Sequence, residues 1–129
     1  MPFRIRTYRC PTEKMNKTEL AWARHLEAEG LHYSYGNIGL RLADNTIYWP
    51  DFIVFAPNGD GTMTVEIHEV KGYWKDDARV KWKVADDQNP EFRFVAVGRI
   101  GKQKLRRGCV NIGGGWWQET YRPQDNERD

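Results

Sequence analysis

The stretch YWPDFIVF, residues 48–55, constrains the fold of this chain more than any other segment. Seven of its eight residues are apolar, aromatic or proline, a composition that predicts a buried β-strand. The exception is Asp51. An ionised carboxylate removed from water costs more free energy than one strand position returns, unless it is paired or binds a metal. A partner beside Asp51 is therefore expected.

The flanking segments predict the elements around this strand. Leu20, Ala23 and Leu26 recur at helical spacing and predict a first helix within residues 12–30, which ends at Gly30. Alternating or short apolar runs predict four strands, at residues 33–43, 46–55, 63–71 and 92–98. The turn residues between them lie at Asp44-Asn45, expected to form a hairpin, and at 57–62.

Residues 75–88 fit both a helix and a strand by their spacing. A helix is favoured because Asp76 and Asp77 suit a first turn and the segment is longer than a typical strand. The resulting order, α-β-β-β-α-β, predicts an α/β fold with a mixed central sheet flanked by helices.

The last thirty residues give weaker signals. A basic loop or edge hairpin is expected at 99–108, a hinge-like break at the three glycines 113–115, and a frayed tail at 123–129. At 129 residues and 15.2 kDa the chain has the size of one domain, predicted over residues 1–122.

The composition indicates the cellular compartment more clearly than it indicates a binding partner. Cys10 and Cys109 are far apart and form no CxxC pair, which is typical of free thiols in a reducing compartment. No apolar run follows the basic N-terminus as in a signal peptide, and no segment approaches a membrane helix in length. A cytoplasmic location is expected. The net charge of +2 by itself names no partner.

A second carboxylate is expected beside Asp51. If the strands at 46–55 and 63–71 pair as a hairpin, Glu69 lies next to Asp51, and two carboxylates at close range cannot both ionise cheaply. Mg²⁺ removes this conflict because it prefers hard oxygen ligands. Lys71 lies on the same strand face as Glu69, where it could orient a water molecule or stabilise negative charge on a phosphate. The alternative for Asp51 is an ion pair, with Lys71 itself as one possible partner.

Glu19 is a third candidate carboxylate. It lies three, four and seven residues before Trp22, Ala23 and Leu26, so it is expected on the inward face of the first helix. There it could complete a metal site or position water. The alternative is a capping box, in which Glu19 reaches back to the amide of Asn16.

Two further groups complete the candidate residues. His68 is expected to be a half-exposed sheet residue on the face opposite Glu69, rather than a ligand. Nine basic residues are candidates for binding nucleic acid through phosphate contacts, although a solvated surface explains the densest run equally well. They are Lys75, Arg79, Lys81, Lys83, Arg99, Lys102, Lys104, Arg106 and Arg107. The adjacent pair at 116–117, both tryptophan, could stack on bases but is expected to pack against the core or a second subunit.

Three parts of the sequence together resemble the PD-(D/E)xK nuclease superfamily: Glu19 in a first helix, Pro50-Asp51 on a strand and Glu69-Val70-Lys71 on the next. YWPDFIVF followed by IHEVKGYWKDDARVKWKVA is similar to a group of small phage-encoded proteins of that superfamily. The resemblance covers about residues 12–98. It implies a restriction-endonuclease-like αβββαβ core that binds Mg²⁺ or Mn²⁺ and hydrolyses phosphodiester bonds in DNA.

The resemblance also implies roles for individual residues. Asp51, Glu69 and the backbone carbonyl of Val70 would bind the metal, Glu19 would support the metal or the water, and Lys71 would act on the water or the transition state. A homodimer acting on phage DNA in the host cytoplasm is expected. The alternative is a non-catalytic nucleic-acid-binding or accessory module, which the intact Asp-Glu-Lys set disfavours. An RNA substrate also stays open.

Overall fold

In a computed structural model of the chain, residues 15–72 and 76–121 are described. The two helices are α1 (Lys17–Ala28) and α2 (Asp76–Gln88). The eight strands are β1 (His32–Tyr35), β2 (Leu40–Ala43), β3 (Thr46–Tyr48), β4 (Phe52–Pro57), β5 (Met63–Val70), β6 (Arg93–Arg99), β7 (Cys109–Gly113) and β8 (Trp116–Glu119). Several predictions fall outside the described residues: those for Cys10, Lys75, the tail at 123–129 and the start of the first helix at 12–14.

The centre of the fold is a six-stranded sheet with the order β1-β4-β5-β6-β8-β7. Strands β5 and β6 are parallel and are connected by α2, whereas the other neighbours in this sheet are antiparallel. Strands β2 and β3 form a separate hairpin inserted between β1 and β4 in the chain. The predicted α/β class with a mixed sheet is confirmed. Neither described helix is long and apolar enough to cross a membrane.

Helix α1 covers one face of the sheet. Trp22, Ala23 and Leu26 are buried against Phe52 and Val95 in a core cluster that lies on this face. Full burial of a large apolar side chain such as Leu26 contributes about 1.5–3 kcal/mol to folding. The predicted stripe is wrong at one position, since Leu20 is 38% exposed. The buried positions of α1 are residues 19, 22, 23 and 26, the i, i+3, i+4, i+7 pattern of an amphipathic helix.

Helix α2 packs on the other face, and the prediction of a helix here is confirmed. Trp82 and Ala85 are fully buried and pack in a second cluster with Ile67 and Phe94. Alternate residues of β5 and β6 therefore face different helices. Side chains on the face of Ile67 are directed toward α2 and the β2–β3 hairpin, whose Tyr48 joins the same cluster.

The strands predicted at 33–43 and 46–55 are each divided in two. Strand β1 ends at Tyr35 because Gly36 adopts a φ of 66°, which is outside the strand region. Pro50 lies between β3 and β4, where it cannot donate a ladder hydrogen bond. The predicted turn at Asp44-Asn45 is confirmed, and Asn45 has the positive φ (62°) that such hairpin turns require.

The prediction of a hinge-like break at residues 113–115 is wrong. Gly114 and Gly115 are the turn of the β7–β8 hairpin, with φ values of 65° and 83°. Two successive positive φ values match the right-handed twist of a hairpin, and glycine adopts them without strain. This hairpin extends the sheet, because β8 pairs with β6. The expected basic loop or edge hairpin is a loop, which connects β6 to β7.

Candidate functional site

Strand register brings Asp51 beside Glu69. Phe52 pairs with His68 in the antiparallel β4–β5 ladder, so Asp51, one residue before β4, lies across from Glu69. The Oδ2 atom of Asp51 accepts a hydrogen bond from the backbone N–H of Val70, at 2.9 Å. That bond fixes the Asp51 carboxylate at the end of β5. The expected pairing of the two carboxylates is thus present.

Glu69 is the buried carboxyl group of the pair. Its side chain is buried, and Tyr48 donates a hydrogen bond from its hydroxyl to Oε1, at 3.2 Å. Burial, followed by the neighbouring Asp51, raises the pKa of Glu69 to about 9, although Lys71 and Tyr48 act in the opposite direction. The metal-free protein therefore holds a proton on this pair at neutral pH.

One oxygen of Glu69 has no hydrogen-bond donor among the described residues. Its Oε2 atom is buried and receives no hydrogen bond from the part of the chain that the structure describes. The adjacent carboxyl of Asp51 is itself an acceptor unless one of the two is protonated. A buried carboxylate oxygen in this situation is costly without a proton or a cation. The pair is consequently well suited to bind a divalent ion.

Glu19 approaches the pair from the start of α1. Its Oε1 accepts from the Asn16 N–H at 3.0 Å, and the Asn16 side chain accepts from the Glu19 N–H, so the capping-box alternative is confirmed. The second oxygen, Oε2, accepts a hydrogen bond from the Tyr35 hydroxyl, at 3.1 Å. Burial, and then the charge of Asp51, raise the pKa of Glu19, which shows that this carboxyl also lies near Asp51.

Lys71 follows directly after β5. Its backbone N–H donates to the carbonyl of Val97 at 2.8 Å, which extends the parallel pairing of β5 with β6. Strand alternation directs its side chain to the face that carries Glu69. Its positive charge lowers the pKa of Glu69, so the ammonium is near enough to interact electrostatically with that carboxyl group. Asp51, Glu69 and Lys71 are thereby brought to one end of the sheet.

The oxygen ligands at this end fit a cation held by two carboxylates. Within residues 15–72 and 76–121, no three His, Cys, Asp or Glu side chains are arranged to bind one ion together. Both oxygens of Glu19 accept hydrogen bonds, and Glu19 lies beside the pair as a third carboxyl group. Mg²⁺ is commonly held by one or two carboxylates with water and substrate oxygens. Asp51 and Glu69 could supply those two carboxylates.

His68 is on the opposite face from Glu69, as expected, but the prediction of half exposure is wrong. It is 4% exposed. Its Nδ1 accepts from the Trp22 indole N–H at 3.1 Å, and its Nε2 lies 2.8 Å from Glu66 Oε1. An imidazole with both nitrogens engaged in this way can be buried without an unpaired polar atom. His68 therefore links β5 to α1.

The basic residues of α2 differ in their surroundings. Arg79 forms two hydrogen bonds with Glu119, one of them 3.0 Å long, and Glu119 is buried. The ammonium of Lys83 lies over the ring of Tyr121, 5.4 Å from its centroid. Lys81 is exposed. The structure thus gives Arg79 an internal partner, which sequence spacing does not reveal.

The basic loop after β6 surrounds a cavity of about 290 Å³. Arg99, Lys102, Lys104 and Arg106 line it, whereas Arg107 does not. The guanidinium of Arg99 lies over the buried ring of Trp116, 4.2 Å from its centroid, and donates to the Gly114 carbonyl. The run of charges expected from the sequence is therefore organised around a concave site.

Two tyrosines of this region were not among the predicted site residues, whereas the tryptophan pair at 116–117 was expected either to stack on bases or to pack. Tyr48 and Tyr35 donate hydrogen bonds to Glu69 and Glu19, respectively. Trp117 lines the basic cavity while packing partly against the α2 cluster, and Trp116 is buried in the α1 cluster. A buried tyrosine hydroxyl needs a polar partner, so the place of Tyr48 in YWPDFIVF was the available signal.

The sequence matches no known family model. None of the curated proteins is significantly similar to it either.

Proposed function

We propose that this chain is a metal-dependent deoxyribonuclease of the PD-(D/E)xK type, with a restriction-endonuclease-like core. The observation that carries the proposal is the pairing of half-buried Asp51 with buried Glu69, whose Oε2 receives no hydrogen bond from the described residues. The order of α1, β1, β4, β5, α2 and β6 supports the αβββαβ core, with β2–β3 as an insertion.

In the proposed site, Asp51, Glu69 and the Val70 carbonyl hold Mg²⁺ or Mn²⁺. A bound divalent ion would supply positive charge to a phosphate and lower the pKa of a bound water. Val70 N–H keeps the Asp51 carboxylate in place, and Tyr48 O–H does the same for Glu69. Binding of the ion requires Glu69 to lose its proton, so metal affinity rises with pH.

Lys71 has the second role in the proposed hydrolysis. Its ammonium donates hydrogen bonds to a non-bridging phosphate oxygen or to the attacking water, and stabilises the charge that develops on the phosphate. Glu19 is a positioning residue, since it lies beside Asp51 while its own oxygens are held by Asn16 and Tyr35. In this proposal three groups bind the metal, Lys71 provides positive charge at the phosphate, and Glu19 keeps Asp51 in position.

The test is cleavage of plasmid, single-stranded and branched DNA with Mg²⁺, Mn²⁺ or EDTA. We expect metal-dependent cutting that Lys71→Ala lowers by at least about 10²-fold, the scale for one electrostatic group at the transition state. Lys17→Ala is the matched control, because Lys17 is an exposed lysine at the start of α1. It should cut like the parent protein.

The outcomes separate enzyme from binding module. Cutting by Lys71→Ala at the parent rate would exclude the proposed mechanism. If neither protein cuts but both bind DNA with affinity that falls steeply with salt, the chain is a non-catalytic nucleic-acid-binding module. An RNA oligonucleotide in the same panel shows whether the protein acts on RNA as well as on DNA.

A further inference from the structure

The basic cavity lies on the same sheet face and at the same end as the carboxylate pair. Glu69 pairs with Ala96 across the β5–β6 ladder, and Gly98 follows two residues later on the same face. The Trp117 ring lies directly over Gly98, since a Cβ there would be 2.3 Å from the ring and 2.2 Å from the Lys71 carbonyl. Gly98 thus allows Trp117 to lie beside Lys71.

The walls of the cavity combine positive charge with an aromatic ring. Lys102, Lys104 and Arg106 contribute cations, and Arg99 also lines the wall, although its guanidinium is held over Trp116. Trp117 contributes the indole, and Gly72, the residue after Lys71, closes one side. Among the described residues that line the cavity there is no Asp or Glu. Glu119 lies close by, 3.8 Å from the thiol of Cys109, but its charge is paired with that of Arg79. The cavity is therefore a site for an anion with an apolar part.

The size of the cavity limits the ligand. About 290 Å³ is just below the range of roughly 300–1,000 Å³ typical of small-molecule sites, a size that suits one nucleotide. Lysine and arginine provide charged donors to phosphate, and tryptophan provides a surface for a base. An acidic peptide would satisfy the cations but leave the indole without a matching partner.

We propose that this cavity binds one unpaired nucleotide of the DNA substrate, next to the phosphate that is cut. The inference rests on the proposed function in one respect, that the nucleotide belongs to a DNA strand held at Lys71. It makes the substrate class DNA with a single-stranded segment, because a base must leave the duplex stack before its ring can stack on Trp117.

The test is calorimetric titration of the metal-free parent protein, in EDTA, with thymidine monophosphate, thymidine and inorganic phosphate. We expect the monophosphate to bind about tenfold tighter than either fragment, because it alone uses both the cations and the indole. Arg106→Gln and, independently, Lys104→Gln should each weaken monophosphate binding about tenfold, the scale of a lost hydrogen bond to a charged group. Two variants are measured so that misfolding of either one does not decide the result.

Arg107→Gln is the discriminating variant. It removes the same charge from the neighbouring position of the same loop, but Arg107 does not line the cavity. Monophosphate affinity should be unchanged in this variant. Equal weakening by Arg106→Gln and Arg107→Gln would reduce the cavity to a general basic surface, and equal binding of monophosphate and inorganic phosphate would overturn the nucleotide assignment.

This experiment distinguishes failure of the inference from failure of the proposed function, since it requires neither a metal nor cutting. A protein that binds the monophosphate in this pattern but cuts no DNA retains the nucleotide site and loses the nuclease assignment. A protein that cuts DNA but does not bind the monophosphate retains the nuclease assignment and loses the nucleotide site.

Discussion

Lys71 lies between two regions of opposite chemistry on one face of the sheet. On one side, Asp51 and Glu69 are acidic groups held on neighbouring strand ends, and Glu69 is only 5% exposed. On the other side, Lys104 and Arg106 are exposed cations on the loop between β6 and β7. Backbone register fixes the first region, whereas loop conformation and the packing of one tryptophan form the second.

The two regions differ in how much their charges cost the folded state. The carboxylate pair is unfavourable until a proton or a cation neutralises it, because Glu69 is buried beside a second acidic group. The basic cavity remains hydrated, and exposed charges of this kind contribute little to stability. Variants of the two regions should therefore differ in their effects on folding as well as on binding.

The largest expected effect on stability is that of Glu69→Gln in metal-free protein. Glu69 has a folded-state pKa of about 9, above its ordinary value of 4.5, so between these pH values the folded state holds a proton that the unfolded state has lost. Stability then falls as pH rises, by about 1 kcal/mol per pH unit. Glutamine removes this dependence while still accepting from Tyr48, so Glu69→Gln should melt above the parent at pH 8 but not at pH 5.

Thermal melting at several pH values in EDTA measures this difference. Two controls sharpen the comparison: Glu91→Gln, the same change at an exposed residue of the α2–β6 connection, and Arg106→Gln in the cavity. Both should follow the pH profile of the parent protein. A Glu69→Gln profile parallel to the parent at every pH would contradict a shared proton on the carboxylate pair.

A smaller effect is expected of Tyr48→Phe. This change removes the hydroxyl that donates to Glu69 Oε1 without altering the ring in the core. Loss of a hydrogen bond that orients a metal ligand typically lowers metal affinity about 10–100-fold, and we expect the lower end. Mn²⁺ titration provides the measurement.

Tyr33→Phe is the matched control for that variant. Tyr33 also donates its hydroxyl to a glutamate, but that residue, Glu27, is on the exposed surface of α1. Its loss should not change Mn²⁺ affinity. Neither tyrosine variant should affect thymidine monophosphate binding, because neither residue lines the cavity. Equal Mn²⁺ affinities for parent and Tyr48→Phe would remove Tyr48 from the site.

The acidic region could be predicted from the sequence because strand periodicity determines which side chains share a face of the sheet. Alternation places Glu69 and Lys71 on one face, and an apolar strand that contains Asp51 can only pair nearby. The same reasoning overlooked Tyr48, which reaches Glu69 from a hairpin whose separation from the sheet depends on Gly36 and Pro50.

The basic region was beyond sequence reasoning for a physical reason. The charges of residues 99–107 were evident, but a cavity requires a particular loop path and the absence of a side chain at Gly98, over which Trp117 lies. Tertiary packing decides both. Likewise, Arg79 resembles a surface cation in the sequence, and only the position of β8 in the sheet brings Glu119 to it.

The central claim is that Asp51 and Glu69 share one divalent cation, and Mn²⁺ titration at pH 7.5 in two buffers of different ionisation enthalpy tests it most directly. We expect one site in the parent protein, with release of about one proton per ion because Glu69 must deprotonate. We also expect loss of that site in Asp51→Asn and Glu69→Gln, and its retention in Glu91→Gln. Equal Mn²⁺ binding by parent and Glu69→Gln, without proton release, would contradict this claim.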